Sequence, residues 1–492
     1  MYKIGDIRNG YEVLPKEKRK CVLLLSDDLR MTSGVGNMSR EFVLGTCHYF
    51  NWVQIGGAIN HPDAGKAIDM GEDIGKRTGV PDVELKIHPV NGYGDPGIVR
   101  QCMNYYPLTS IMIYTDPRFW GWLFQMENEI RQMIPIMYYN IWDSLPYPMW
   151  NQKYYDSVDA LFNISKQTVN IVKNVRSSYE DWQVTYVPHG INEDDYFPID
   201  KTYEKYEEFL KFKKDAHQGK EREFVIFYNA RNIRRKLCGD IVMAYRAFCD
   251  SLTKEQADKC LLLMHCAPVD ENGTDLPEVC RSLAPNYGVA FSGGKLEREQ
   301  MNWLYNSADV SILISSNEGF GLMGAETLMC GRPLIVNVTG GMQDYCGFKK
   351  EDGSYLTADD YTTEWGSNHD GRYKDHGEWA FPVWPTNRSV QGSPATPYIS
   401  DDRPDWQDVA IQIKKAWSER GAKLQERGKA GREYVINPEF GFTAAEMNRR
   451  FMQDMDSVYK NFKPRPRVMV DNGTKWDLPK AKWNGLTMMK EI

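Results

Sequence analysis

The chain has 492 residues, 42 % hydrophobic and 26 % charged, an ordinary soluble composition with enough length for two or three domains. A formal net charge of −7 excludes a global basic field that would draw the whole chain onto nucleic acid or a membrane, and leaves room only for a local basic groove. Ten scattered cysteines without a CxxC pair or Cys/His ligand spacing speak against a disulfide scaffold and against a metal site.

The N-terminus, MYKIGDIRNGYEVLPKEKRK, lacks an apolar signal core, and no apolar run approaches a bilayer span. The expected location is the cytoplasm, of a cell or of the host if the protein is viral. KCVLLLSDDLR (Lys20–Arg30) reads as the first strand of a parallel sheet, apolar on both faces. MTSGVGN then supplies a glycine turn before a helical pattern. Further strand-like runs are NWVQIGGA, SIMIYTD (Ser110–Asp116), IPIMYYN (Ile134–Asn140), ALFNIS (Ala160–Ser165) and TYVPHG (Thr185–Gly190). Helical stretches separate many of them, which predicts an open, doubly wound α/β sheet.

Residues 200–223 are densely charged and read as a solvated helix and linker near a domain boundary. The alternation then restarts with FVIFYNA (Phe224–Ala230), a helix from about Asp240 to Leu252, KCLLLMHC (Lys259–Cys266), GVAFSG (Gly288–Gly293), a helix around Arg298–Ser307, VSILI (Val310–Ile314) and PLIVNV (Pro333–Val338). The expected division is a Rossmann-like domain over 1–199, a second over 200–440 with an irregular insertion at 351–404, and a C-terminal helix and tail over 441–492 crossing back to the first domain. An insertion of that length is usually functional or disordered. The tail carries Trp476 and Trp483 and is slightly basic.

Two such sheets leave a cleft where the carboxyl ends of their strands face each other, the place where ligands of doubly wound sheets bind. SNEGFGLMGAE (Ser316–Glu326) leaves a strand at that edge. Its glycines let backbone N–H groups approach a ligand. A helix starting near Leu322 would offer unpaired donors and a positive dipole end to phosphate. Glu318 on the loop and Glu326 in the helix can accept hydrogen bonds from hydroxyls at opposite ends of one ligand. Taken alone, the pattern also fits a helix N-terminus with a glutamate near its dipole. RNIRRK follows another strand, and Arg231 and Lys236 could neutralise a diphosphate there, whereas Arg234 and Arg235 read as a solvated basic turn.

RNIRRK with its Ala-Tyr-Arg-Ala-Phe helix, then NWLYNSADVSILISSNEGFGLMGAETLMCGRPLIV, closely resembles the C-terminal domain of retaining glycosyltransferases of family 4, with the GT-B fold. The carrying element is Glu-x7-Glu, preceded by Tyr-Asn-x-Ala-Asp and followed by Cys-Gly-x-Pro, over residues 224–345. The first half matches more loosely through SGVGN and VPHGIN. The resemblance implies two Rossmann-like domains facing across a cleft and a nucleotide diphosphate sugar, commonly a UDP-sugar, as donor, with no metal or other cofactor required. By it Glu318 would hold sugar hydroxyls and Glu326 the ribose. Arg231 and Lys236 would bind the diphosphate with the backbone around Gly319, Phe320, Gly321 and Leu322. The segment Phe291–Leu296, with Ser292 and Leu296, would frame the base, and Gly34 and Gly36 would belong to a loop closing on the ligands.

The sequence departs from the family at one point. Many members carry a histidine after a first-domain strand, near the reacting sugar. Here IYTDPRFW offers Asp116, and Asp143 in NIWDSLPYP follows the next strand. Either could accept the acceptor's proton or hold a donor hydroxyl; a strand-end cap is the plain alternative. His265 reads as structural, while His61 and His189 stay open. NHPDAGK, PRFWGW and YPMWNQKYY could line an acceptor groove. In style the chain also resembles tailed-phage glycosyltransferases that modify hydroxymethylated DNA bases. The acceptor is therefore either 5-hydroxymethylcytosine in phage DNA, contacted by the insertion and the tail, or a glycan, lipid or small metabolite. A phosphorylase-like enzyme or a non-catalytic nucleotide-sugar-binding protein are the competing classes.

Overall fold

A computed structural model describes residues 10–58, 60–361 and 369–466. Two parallel sheets organise them. The first contains β1 (Lys20–Asp27), β2 (Phe50–Gly57), β3 (Ile68–Asp69), β4 (Leu85–Pro89), β5 (Leu108–Tyr114), β6 (Ile136–Asn140), β7 (Ala160–Asn163) and β8 (Val184–Tyr186), in the spatial order 3-4-2-1-5-6-7-8. Only the short edge strand β3 pairs antiparallel. The second contains β9 (Phe224–Asn229), β10 (Cys260–His265), β11 (Val289–Ser292), β12 (Val310–Leu313), β13 (Leu334–Asn337) and β14 (Ala380–Val383), in the order 11-10-9-12-13-14.

The strand runs are buried because helices cover both faces. In β1 every residue after Lys20 is buried, as expected for a parallel sheet with no solvent-facing side. Each sheet reverses its order once, between β1 and β5 and between β9 and β12. At such a switch point the neighbouring connections leave in opposite directions and open a crevice. The segments that follow β9 and β12 are those carrying Arg231–Lys236 and Glu318–Glu326. Asp116 follows β5, beside the switch point of the first sheet.

The elements expected from 351–404 need correction. That stretch is not irregular throughout. It supplies β14 and then a hairpin, β15 (Asn387–Ser393) with β16 (Thr396–Arg403). β14 is four residues long and contains Pro382, which an edge strand tolerates because one side of its backbone needs no partner. The first strand of the hairpin, β15, is solvent-facing, so it lacks the apolar alternation that announces a strand.

The helix Ala444–Asn461 returns to the first sheet. Its Phe451 ring lies against Phe42, Phe50, Trp52 and Phe162. Other contacts also join the two bodies. Asp344, after β13, accepts from the Lys166 backbone N–H at 3.0 Å and from the Tyr186 hydroxyl at 2.9 Å. The tail bearing Trp476 and Trp483 lies outside the described residues.

Candidate active site

Two helix starts meet across the crevice. Gly34 opens the helix Gly34–Thr46, and Leu322 opens Leu322–Met329. A methyl group added at Gly34 would sit 3.6 Å from the Leu322 side chain. Gly34 and Gly36 thus lie in the first turn of a helix rather than in the expected loop, with the Ser33 hydroxyl accepting from the Gly36 N–H. Gly321 takes φ +76°, a left-handed conformation that a residue with a Cβ adopts only under strain. This turn lets the first N–H groups of its helix face the crevice. Two positive dipole ends converging on one spot suit a phosphate chain.

Glu318 is buried, 5 % exposed, on the loop before the second of these helices, and neither it nor Lys236 lines the two cavities described below. Its carboxylate pairs with the Lys236 ammonium, and with Arg235 at 3.2 Å. Burial would raise its pKa, but the two cations overcome this and hold it at about 2. Glu318 is therefore ionised throughout the physiological range. Gly319 is close-packed, since a Cβ there would lie 2.8 Å from the Ile141 carbonyl of the first body.

Glu326 lies one helical stretch away. It accepts from the Tyr305 hydroxyl, and Tyr196 is a second partner; burial raises its pKa while these hydrogen bonds lower it. It lines a cavity of about 890 Å³ with His265, Gly294, Leu296 and Leu322. The wall opposite comes from the helix Gly34–Thr46, through Asn37, Arg40 and Glu41. Ser292 reaches this wall indirectly, 3.2 Å from the Nδ1 atom of His265. Arg298 spans the cavity's flank, joining Glu41 at 3.0 Å and Asp195.

A second cavity, about 490 Å³, contains Asp116, Asp143, Trp142 and Arg235. Asp143 is half-buried, and burial raises its pKa against the pull of Arg235. Ser144 donates to it at 3.0 Å. Asp116 is committed locally. It caps the short helical turn that follows it, accepting the Arg118 N–H at 2.9 Å, and its carboxylate pairs with the Arg118 guanidinium. The cap and the cavity position coexist in one side chain.

Several expected positions are placed differently. Arg231 points outward to Asp270 at 2.9 Å, with its side chain 63 % exposed, and lines neither cavity. Arg235, expected as a solvated turn residue, is the arginine that reaches Glu318. The signal available for it was only its adjacency to Lys236. Phe320 is buried between His189 and Tyr345, so only its backbone faces the crevice. His189 is a core residue. It hydrogen-bonds Tyr139 at 2.9 Å and Tyr114 at 3.2 Å, and burial pushes its pKa down to about 3. His61 sits near Asp63 at 3.5 Å, away from both cavities. Among the described residues no cluster of three His, Cys, Asp or Glu side chains could hold a metal ion.

Comparison with known proteins agrees with this architecture. Residues 207–380 match a family described as family 4 glycosyltransferases in conflict systems. The D-inositol 3-phosphate glycosyltransferase of Thermomonospora curvata is 34 % identical over 76 residues, a match covering 15 % of this chain and 17 % of that protein. Sucrose-phosphate synthase from Thermosynechococcus elongatus superposes with a TM-score of 0.61 at 15 % identity, over 90 % of this chain and 100 % of the other. A glycosyltransferase from Rickettsia africae gives 0.60 at 14 %, over 90 % and 99 %. Anabaena HepE, in complex with UDP and glucose, gives 0.59 at 12 %, over 89 % and 100 %. The chain has the GT-B fold and resembles the glycosyltransferases of family 4.

Proposed function

We propose that the protein is a glycosyltransferase that moves a sugar from a UDP-sugar to a hydroxyl acceptor with retention at the anomeric carbon. The observation that carries this reading is the pair of glutamates flanking a helix N-terminus, one held ionised by Lys236 and Arg235, the other facing the larger cavity. In this reading the base and ribose occupy the larger cavity. Leu296 and Ser292 border the base, and Glu326 accepts from the ribose. The diphosphate lies at the converging helix starts, against the backbone of Gly319–Leu322 and Gly34–Gly36 and near Lys236. Glu318 holds sugar hydroxyls. Arg231 joins the diphosphate only if it leaves Asp270, so Arg235 is the nearer second cation.

The chemistry needs no protein nucleophile. The bond from the anomeric carbon to the diphosphate oxygen breaks, and the acceptor oxygen bonds that carbon on the same face. The acceptor's proton passes to the departing diphosphate oxygen. Lys236 and Arg235 stabilise the charge that develops there. Asp143, in the smaller cavity beside Arg235, orients the acceptor hydroxyl or a sugar hydroxyl, and Asp116 borders the same space. Retention is tested by proton NMR of the product formed from α-linked UDP-glucose: an α-linked product agrees, and a β-linked one refutes it.

For the acceptor, the reading put to test is 5-hydroxymethylcytosine in DNA, with a glycan, lipid or small metabolite as the alternative. Incubation of hydroxymethylated duplex with a mixture of nucleotide sugars, followed by nucleoside mass spectrometry, tests it. A nucleoside heavier by one sugar is the expected result. Nucleotide-sugar hydrolysis without such a product refutes the acceptor and leaves the donor site standing.

A further inference from the structure

The hairpin β15–β16 belongs by sequence to the second body but is fastened to the first. The Tyr398 hydroxyl donates to the Tyr147 carbonyl at 2.9 Å, and the Ser400 N–H to the Leu145 carbonyl at 2.6 Å. Arg118 donates to the Thr396 hydroxyl at 2.5 Å, and the Tyr398 ring meets Trp150 edge-on at 4.4 Å between centroids. The hairpin thereby becomes one wall of the 490 Å³ cavity, contributing Gln391, Thr396, Ile399, Asp401 and Arg403. That volume is in the range of small-ligand sites and admits one nucleotide or one sugar phosphate.

The charges in this cavity are unevenly matched. Asp116 is taken by Arg118, and Arg235 by Glu318. Arg234 lines the cavity and makes no ion pair or side-chain hydrogen bond among the described residues. Arg403, from the hairpin, has only Asp240 at 3.8 Å, beyond hydrogen-bonding range, and its side chain is 42 % exposed. Two guanidinium groups thus stand on the second-body side, while Asp143 lies against the first body near the sugar position. Asp401, on the hairpin, is the third carboxylate that lines the cavity, beside Asp116 and Asp143. Such a cavity suits a ligand with an anion at one end and hydroxyls at the other, and guanidinium groups match phosphate oxygens in pairs.

We propose that the hairpin is the acceptor-selecting wall and that the acceptor carries a phosphate held by Arg234 and Arg403, with its reacting hydroxyl turned toward Asp143. This rests on the glycosyltransferase reading above. The phosphate could belong to a nucleotide or to a sugar phosphate, and the titration separates these two sources.

The protein is saturated with UDP and titrated calorimetrically with inorganic phosphate. Parallel titrations use glucose 6-phosphate against glucose, and 5-hydroxymethyl-2′-deoxycytidine 5′-monophosphate against its nucleoside. The expected result is phosphate binding alongside UDP, with at least one phosphorylated compound binding about ten-fold or more tighter than its counterpart. The favoured pair identifies the source. Arg234→Gln with Arg403→Gln should erase the preference and leave UDP affinity within about two-fold, while Arg403→Lys should retain part of it. Three results would overturn the proposal: no preference for any phosphorylated compound, a preference that survives the double substitution, or phosphate that competes with UDP. Failure of UDP to bind would instead refute the donor reading, and phosphate titration of the UDP-free protein would still test the anion site.

Discussion

Replacing Glu318 by glutamine keeps the shape of the side chain and removes its charge. The carboxylate sits between Lys236, 12 % exposed, and Arg235, 43 % exposed. A charge-assisted hydrogen bond to a sugar hydroxyl contributes roughly 1.5–3 kcal/mol. Losing it should lower kcat/KM for a UDP-sugar by about ten- to 150-fold. UDP lacks the sugar, so its Kd should change by less than about three-fold. The fold also loses something. With a folded pKa near 2 against an ordinary 4.5, the ionised Glu318 contributes up to about 3 kcal/mol. This is an upper bound, because burial of Lys236 costs part of it back. The folded pKa lies below the unfolded one, so this stabilisation is complete above pH 4.5 and fades as pH falls toward 2. The stability gap between wild type and Glu318→Gln should therefore close across that window. Coupled detection of UDP release, UDP calorimetry and urea unfolding measure the three quantities. Unchanged turnover would refute the sugar role. A UDP affinity that falls as far as turnover would mean that Glu318 acts by holding Lys236 for the diphosphate.

Asp143→Asn should reduce transfer by about 10²-fold or more if the carboxylate orients the acceptor, while leaving UDP binding intact; transfer assays with either acceptor class give the answer. Gly324→Ala places a methyl group into the Tyr345 ring and should cost about 1–3 kcal/mol in urea unfolding; removing the ring's bulk in Gly324→Ala/Tyr345→Leu should recover part of it. His189 is buried neutral, with a pKa near 3 against 6.5 when unfolded. Below pH 6.5 the unfolded chain binds a proton that the folded one refuses, so stability declines from pH 6.5 toward 3. At pH 5 this amounts to roughly 2 kcal/mol, and His189→Gln should flatten that part of the stability profile. The same histidine should leave no inflection in the pH dependence of turnover between pH 5 and 8.

The sequence made most of the fold legible because the strands of parallel sheets are continuous apolar runs. Lys20–Asp27, Phe224–Asn229 and Leu334–Asn337 all announce themselves that way. Leu85–Pro89 is not legible in the same way, because its alternation of buried and half-buried residues over five positions carries little signal. The helix start at Leu322 was readable from the glycines before it, since Gly321 must take a conformation that other residues avoid. Glutamates at fixed spacing about such a start are local information.

Which arginine meets Glu318 is not local information. Arg231 and Arg235 differ in the sequence only by four positions on one turn. The choice depends on Asp270, a residue far along the chain, whose carboxylate holds Arg231 outward. A salt bridge at the surface is a weak tether, contributing about 0–1 kcal/mol. A diphosphate with two negative charges at the converging helix starts could therefore draw Arg231 inward at little cost, whereas Arg235 is already tied to Glu318 and to the Asn317 carbonyl at 2.6 Å. On the proposed reading Arg235 orders Glu318 and stands with Lys236 beside the diphosphate, and Arg231 would join them as a third cation once the diphosphate is bound. Asp270→Asn separates these roles. Freeing Arg231 should tighten UDP by about two- to five-fold and leave UMP, with a single phosphate, nearly unchanged. Equal effects on UDP and UMP would show that Arg231 does not follow the diphosphate.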